Sequence, residues 1–348
     1  MISVLISTQQ TKIHYGGLTM KFKMILFLSF IISGILNAQF FNFNQPFAHT
    51  YSIVARDEVT GEMGVAVQSH WFSVGSIVSW AEAGVGAIAT QSFVNVSFGP
   101  EGLRLLKEGK TAQEVLDELI SKDEGRDFRQ LAIIDANGNV AAYTGKSCIE
   151  YASHRVGKNY SVQANMMLTD RVVNAMADAF EKSKGPLAER FVEALKAAER
   201  EGGDIRGKQS AALLVVRGKS TGKIWEDRLI DLRVEDHQKP VEEIERLLKV
   251  FRAYEHMNNG DLAMEKGDDK KAFEEYGSAE KILPKNLEIK YWVAVTLANN
   301  GKLDEALPKF QYVFKRDKNW IELTKRIVKN GLLKVNENDL KKILGSKN

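Results

Sequence analysis

TYSIVARD (residues 50–57) and GEMGVAVQS (61–69) decide the fold. Both runs are β-rich, and the Glu-Val-Thr-Gly of residues 58–61 reads as a turn, so together they predict a hairpin. Working outward, GSIVSWAEAGVGAIATQSF (75–93) predicts two more short strands, with Gly84 and Gly86 between them. QLAIIDANGNVAAYTG (130–145) predicts a second hairpin, because Asn137-Gly138 suits a tight turn between two apolar runs. SVQANMM (161–167), SAALLVVRG (210–218) and KIWEDRLIDLRV (223–234) add further strands. Leu103, Leu106, Val115, Leu116, Leu119 and Ile120 recur at helical spacing, and Gly109 divides them into two helices. Residues 170–182 and 187–200 have the pattern of amphipathic helices. Because the strands come in hairpins rather than in βαβ alternation, the expected class is layered α+β with mostly antiparallel sheets.

Beyond Pro240 the texture is helical and charge-rich, and it repeats. Gly267, Ala272, Tyr276 and Ala279 recur thirty-four residues later as Gly301, Ala306, Phe310 and Val313, and Gly260 is matched by Ala294. Small residues that let two helices approach, with an aromatic filling the gap, at a period of about 34 residues, are the tetratricopeptide pattern. Residues 239–348 are therefore expected to form a tetratricopeptide-like helical domain that holds a protein or peptide partner.

At the other end, Lys21 and Lys23 precede an apolar run, Met24 to Leu36, and Ala38 closes it. That is the order of a cleaved signal peptide over residues 20–38, and the run is short for a membrane span. Residues 1–19 resemble no targeting segment and read as a misassigned upstream extension; residues 39–49 read as a leader or linker. The expectation is an exported protein, periplasmic or secreted, without a stable membrane anchor. The chain has 348 residues, with 48 Lys+Arg against 45 Asp+Glu. That balance argues against nucleic-acid binding through bulk charge. One cysteine, Cys148, excludes an intrachain disulfide and a cysteine-based zinc cluster.

No GxSxG, GxxxxGK[ST], HExxH or CxxC occurs, so neither a metal nor a cofactor is expected. The informative residue is Thr50, at the head of the first strand of the hairpin. If the mature chain began there, its own α-amine, with a pKa of about 8, would serve as the base for its hydroxyl and no histidine would be required. Ser52, on the same face by period-two alternation, is the runner-up nucleophile.

The segments HTYSIVARD, GEMGVAVQSHWFSVGSIVSWAEAGVGAIATQSFVN, FRQLAIIDANGNVAAYTG, VQANMM and GGDIRGKQSAALLVV resemble the family known as domain of unknown function 1028. The resemblance covers most of residues 50–234. It implies a four-layer αββα sandwich of the N-terminal-nucleophile (Ntn) hydrolase superfamily over residues 50–238, whose members cleave amide bonds. In that family the strand-leading Thr follows an initiator Met; here residues 39–49 stand ahead of Thr50, so a cut between His49 and Thr50 is needed, which such hydrolases often make themselves. The resemblance also suggests supporting roles for Gln91, Ser92 and Asn165 around an oxyanion. Asp204, Arg206, Gln209 and Ser210 form a polar cluster before a buried strand, and His70 is a candidate cleft residue. The expected function is hydrolysis of an amide bond in an unspecified peptide-like small substrate. The alternatives are a non-enzymatic ligand- or cell-wall-binding protein, and an assembly subunit that forms a homo-oligomer.

Overall fold

The computed structural model describes residues 47–345. The expected upstream extension, the signal peptide and most of the leader lie outside these residues. The described chain begins with β1 (Phe47–Ala48), β2 (Thr50–Arg56), β3 (Met63–Ser69), a single helical turn α1 (Gly75–Val78), β4 (Ser79–Glu82) and β5 (Gly86–Phe93). Helices α2 (Phe98–Lys107) and α3 (Ala112–Ser121) follow, then β6 (Arg129–Asp135), β7 (Val140–Thr144), β8 (Ser153–Gly157) and β9 (Tyr160–Ala164). Next come α4 (Val172–Lys182), α5 (Leu187–Arg200), β10 (Ser210–Val216), the short α6 (Ile224–Asp227) and β11 (Arg228–Val234). The rest is helical: α7 (Pro240–Glu265), α8 (Asp269–Ile282), α9 (Leu287–Asn299), α10 (Leu303–Arg316), α11 (Asn319–Lys329) and α12 (Glu337–Leu344).

The strands form two sheets, ordered β1-β5-β6-β7 with β4 also on β5, and β11-β10-β3-β2-β9-β8. Every pairing between these strands is antiparallel, as the hairpin pattern led one to expect. The sheets pack face to face through Val54, Val65, Val67, Ala87, Ala89, Ala132 and Ile134. The outer face of the five-stranded sheet is covered by α2 and α3 through Ile88, Leu131, Ile133, Leu103, Val115 and Leu119. A capping box, in which Thr111 and Glu114 satisfy each other's backbone N–H groups, starts α3. The outer face of the six-stranded sheet is covered by α4 and α5 through Tyr51, Ile53, Val162, Met176, Phe191 and Leu195.

The 26-residue α7 belongs to two cores at once. Val241, Ile244 and Leu248 pack with the six-stranded sheet and its helices, whereas Ala253, Met257 and Ala263 pack with the helical tail. In that tail Ala272, Tyr276, Ala279, Ala294, Ala306, Phe310 and Val313 are all buried. A Cβ placed on Gly260 would sit 2.4 Å from the Tyr276 ring, so only glycine allows α7 and α8 this approach.

Four elements depart from expectation, the first being β1, a strand at Phe47–Ala48 within the segment read as a leader or linker. Residues 75–78 and 224–227 are helical turns, not the starts of strands. The strand β8 (SHRVG) was not foreseen, because it is a mostly polar and exposed edge strand with no alternation of burial to read.

Candidate functional site

β2 is an inner strand of its sheet, and Thr50 stands opposite Ser69 at the end of β3. Alternation turns Tyr51, Ile53 and Ala55 toward the helices, and Thr50, Ser52 and Val54 toward the other sheet. Upstream of Thr50 the chain changes sheets. Ala48 and Phe47 form β1, which pairs with Ser92 and Phe93 of β5. His49 is the step between the two sheets, and it is buried together with Thr50.

A layer of buried amides fills this end of the sandwich. Gln130 Nε2 donates to the backbone carbonyls of Ala164 (2.9 Å) and Ser153 (3.1 Å), and to Thr144 Oγ1 (2.9 Å). A carbonyl only accepts, so those two contacts fix which end of the amide is nitrogen. Gln130 Oε1 then accepts from Gln91 Nε2 (2.7 Å) and Asn165 Nδ2 (2.8 Å). This leaves Asn165 Oδ1 facing His49 Nδ1 at 2.7 Å, and Nδ1 therefore carries the imidazole proton. Gln91 Oε1 accepts from Ser52 Oγ (2.6 Å), which in turn accepts from Gln163 Nε2 (2.6 Å). The Ser52 hydroxyl thus has both a donor and an acceptor engaged. Leaving any one of these groups unpaired would cost about 1–3 kcal/mol, which is why the network locks as a unit.

The peptide bond ahead of Thr50 is held from the other side. The His49 carbonyl oxygen accepts from Ser69 Oγ (2.6 Å) and from Arg206 Nη2 (2.7 Å). Asp204 aims the guanidinium: its carboxylate accepts from Arg206 Nε (3.0 Å), Nη2 (2.7 Å) and backbone N–H (2.9 Å), and from the His70 N–H (3.1 Å). The Thr50 hydroxyl donates to the Ala48 carbonyl at 2.6 Å. One carbonyl therefore carries a hydroxyl donor and a cationic donor, with a threonine hydroxyl on the next residue. That is the arrangement needed to stabilise negative charge developing on the carbonyl oxygen.

Burial pushes the His49 imidazole below its ordinary value of 6.5; the bond to Asn165 opposes this in part, and the Arg206 guanidinium adds to it. His49 is accordingly neutral near pH 7, in agreement with the tautomer set by Asn165. Its ring meets Phe93 edge-on, with centroids 5.5 Å apart. Ser92, opposite Ala48, has φ +74°, and Met166, next to Asn165, has φ +59°. Each left-handed non-glycine residue stores of order 1–3 kcal/mol of strain, and both flank this site.

Thr50, Ser52, Gln91, Asn165, Asp204 and Arg206 all meet here. His70 takes part through its backbone N–H, while its side chain is exposed. Gln209 contributes its backbone N–H to the Ser69 carbonyl (3.2 Å), and Ser210 Oγ accepts from the Val74 N–H (3.0 Å) and donates to the Trp71 carbonyl, so both hold the surrounding loops. Cys148 Sγ donates to the Arg129 carbonyl (3.3 Å), and burial raises its pKa, which keeps it a thiol. Sequence reading missed His49, Ser69, Gln130 and Gln163. Ser69 was recoverable: in the first hairpin, pairing Arg56 with Met63 places Ser69 opposite Thr50. The two glutamines carried no local signal. Among the described residues no group of three or more His, Cys, Asp or Glu could hold a metal ion, and no helix is long and apolar enough to cross a membrane.

The fold of two antiparallel sheets between helices has a counterpart among solved structures. The model of a family of unknown function, DUF1028, matches residues 50–244, and the chain belongs to that family. The match begins at Thr50. The crystal structure of protein SPO2555 from Silicibacter pomeroyi, also assigned to DUF1028, is similar at 30% identity and a TM-score of 0.53, over 58% of this chain and 85% of that one. Anbu (ancestral beta-subunit) from Yersinia bercovieri aligns over 58% of this chain and 96% of its own, at 13% identity and a TM-score of 0.29, too slight a likeness to build on. No curated protein matches the chain.

Proposed function

We propose that the chain is an exported N-terminal-nucleophile hydrolase that frees its own Thr50 and then cleaves amide bonds. The observation that carries this reading is the grip of Ser69 Oγ and Arg206 Nη2 on the His49 carbonyl, directly ahead of the strand-leading Thr50. The order of layers, helices outside two facing sheets, supports the αββα sandwich of that superfamily. In the first reaction Thr50 Oγ attacks the His49 carbonyl carbon. The C–N bond to Thr50 breaks, an ester forms, and the hydroxyl proton ends on the freed α-amine. Water then hydrolyses the ester, releasing the upstream segment as a carboxylate and leaving an N-terminal threonine. In later turnovers the α-amine takes the Oγ proton, the substrate amine leaves with it, and water regenerates the hydroxyl. No metal or cofactor has a part in these steps.

Residues 20–38 are the signal peptide removed on export, with cleavage after Ala38, which leaves residues 39–49 ahead of Thr50 for the second cut. The helical tail, with small residues beneath Tyr276 and Phe310, is read as a tetratricopeptide-like module that docks a protein or peptide, or a second copy of the chain. The test is the intact mass of the mature protein. A chain starting at Thr50 is expected, and Thr50→Ala should retain the upstream segment and lose activity. Active protein starting only at Gln39 would defeat the mechanism.

A second reading is a non-enzymatic ligand- or cell-wall-binding protein. One observation favours it: the Thr50 side chain is fully buried while residues 47–49 are in place, so no substrate reaches it there. It requires Thr50→Ala to keep full function.

A further inference from the structure

The segment ahead of Thr50 is seated like a ligand. β4 covers one half of the β5 edge, through Ser79 opposite Ala89 to Glu82 opposite Gly86. β1 covers the other half, where Phe47 and Ala48 face Phe93 and Ser92. Behind β1, the His49 side chain fills a buried pocket between Phe93 and Asn165. We propose that this pocket and this strand edge are the acyl-side subsite for substrate: an extended peptide whose residue before the cleaved bond is histidine or another neutral ring bearing an N–H donor. This rests on Thr50 being freed, because departure of residues up to His49 is what vacates the subsite.

The preference follows from the amide network. The Ala164 and Ser153 carbonyls orient Gln130, Gln130 orients Asn165, and Asn165 Oδ1 is left able only to accept. An aliphatic side chain in the pocket strands that buried oxygen. A carboxylate meets it as a second acceptor. A lysine or arginine is desolvated close to the Arg206 guanidinium, which already holds the carbonyl of the same residue. The strand edge at Ser92 and Phe93 adds main-chain pairing, the usual way a sheet edge receives an extended peptide. In turnover the bond after the histidine breaks, its carbonyl carbon passes to Thr50 Oγ and then to water, and the new amine keeps the hydroxyl proton.

The test is binding of acetyl-Phe-Ala-His and acetyl-Phe-Ala-Leu, both with free carboxylates, to the mature protein after gel filtration, followed by calorimetry. The N-terminus is established first by mass. The histidine peptide is expected to bind at least about tenfold more tightly, the equivalent of one buried acceptor left unpaired. Uncleaved Thr50→Ala, with β1 still seated, is expected to bind neither. Equal binding, tighter binding of the leucine peptide, or binding of neither by protein that starts at Thr50 overturns the subsite and leaves the Thr50 reading standing. A mature N-terminus upstream of Thr50 overturns both.

Discussion

Replacing Ser69 by alanine separates a role in chemistry from a role in folding. In the resting structure its hydroxyl makes one bond, to the His49 carbonyl at 2.6 Å, and Arg206 remains on the same oxygen when it is lost. The native state therefore loses one neutral hydrogen bond, worth about 1 kcal/mol net, and no acceptor is left unpaired. For a domain of this size that lowers the melting temperature by roughly 2–4 °C. In the transition state for cleavage the same oxygen carries developing negative charge, where one donor is worth about 2.7–4 kcal/mol, or 10²–10³ in rate. The expected result is a precursor that folds almost as stably as the parent but matures about a hundredfold more slowly. Intact-mass time courses after purification of freshly made protein read the rate, and thermal unfolding of the same samples reads the stability. A precursor half-life changed less than about threefold, with the small stability loss present, refutes the assignment of Ser69 to the oxyanion.

Two more outcomes follow from the buried amides. Gln130→Leu keeps much of the volume but removes the side-chain donor to the Ala164 and Ser153 carbonyls, which keep their mutual β8–β9 pairing, and the acceptor of Asn165 Nδ2 and Gln91 Nε2, so a loss of about 1–3 kcal/mol is expected in denaturant unfolding of the uncleaved protein; a loss below about 0.5 kcal/mol would show that the network is slack. In uncleaved Thr50→Ala, burial holds His49 below its unfolded value of 6.5, so the unfolded chain takes up the proton first. Stability should therefore fall as pH drops through 6.5 toward the folded value, and the added change His49→Gln should flatten that slope between pH 7.5 and 5.5; parallel slopes would contradict a neutral His49.

Much of the fold was legible because it is written in local periods. β-rich runs on either side of turn residues gave the hairpins at 50–69 and 130–145, helical spacing gave α2 to α5, and a 34-residue period marked the tail. The strand β8 was missed because an exposed edge strand needs no apolar face. The site was legible only in its members. Thr50, Asp204 and Arg206 stood out as polar residues beside apolar runs, and Gln91 and Asn165 through the family resemblance, but their mutual contacts did not. Gln130 and Gln163 carried no local signal, because their partners lie on other strands.

The sequence by itself determined the strand-leading threonine, the antiparallel hairpins around it and the small-residue pattern of the helical tail. These depend on neighbours a few residues away, or on a fixed repeat. Only the tertiary structure decided that polar strand faces turn inward, because whether a sheet face meets water or a second sheet is settled by packing between distant segments. The same packing carries Arg206 onto the carbonyl of His49, 157 residues earlier in the chain, and sets the tautomer of that histidine from two backbone carbonyls on β8 and β9. Hydrogen-bond direction passes along contacts in space, and no spacing along the chain records it.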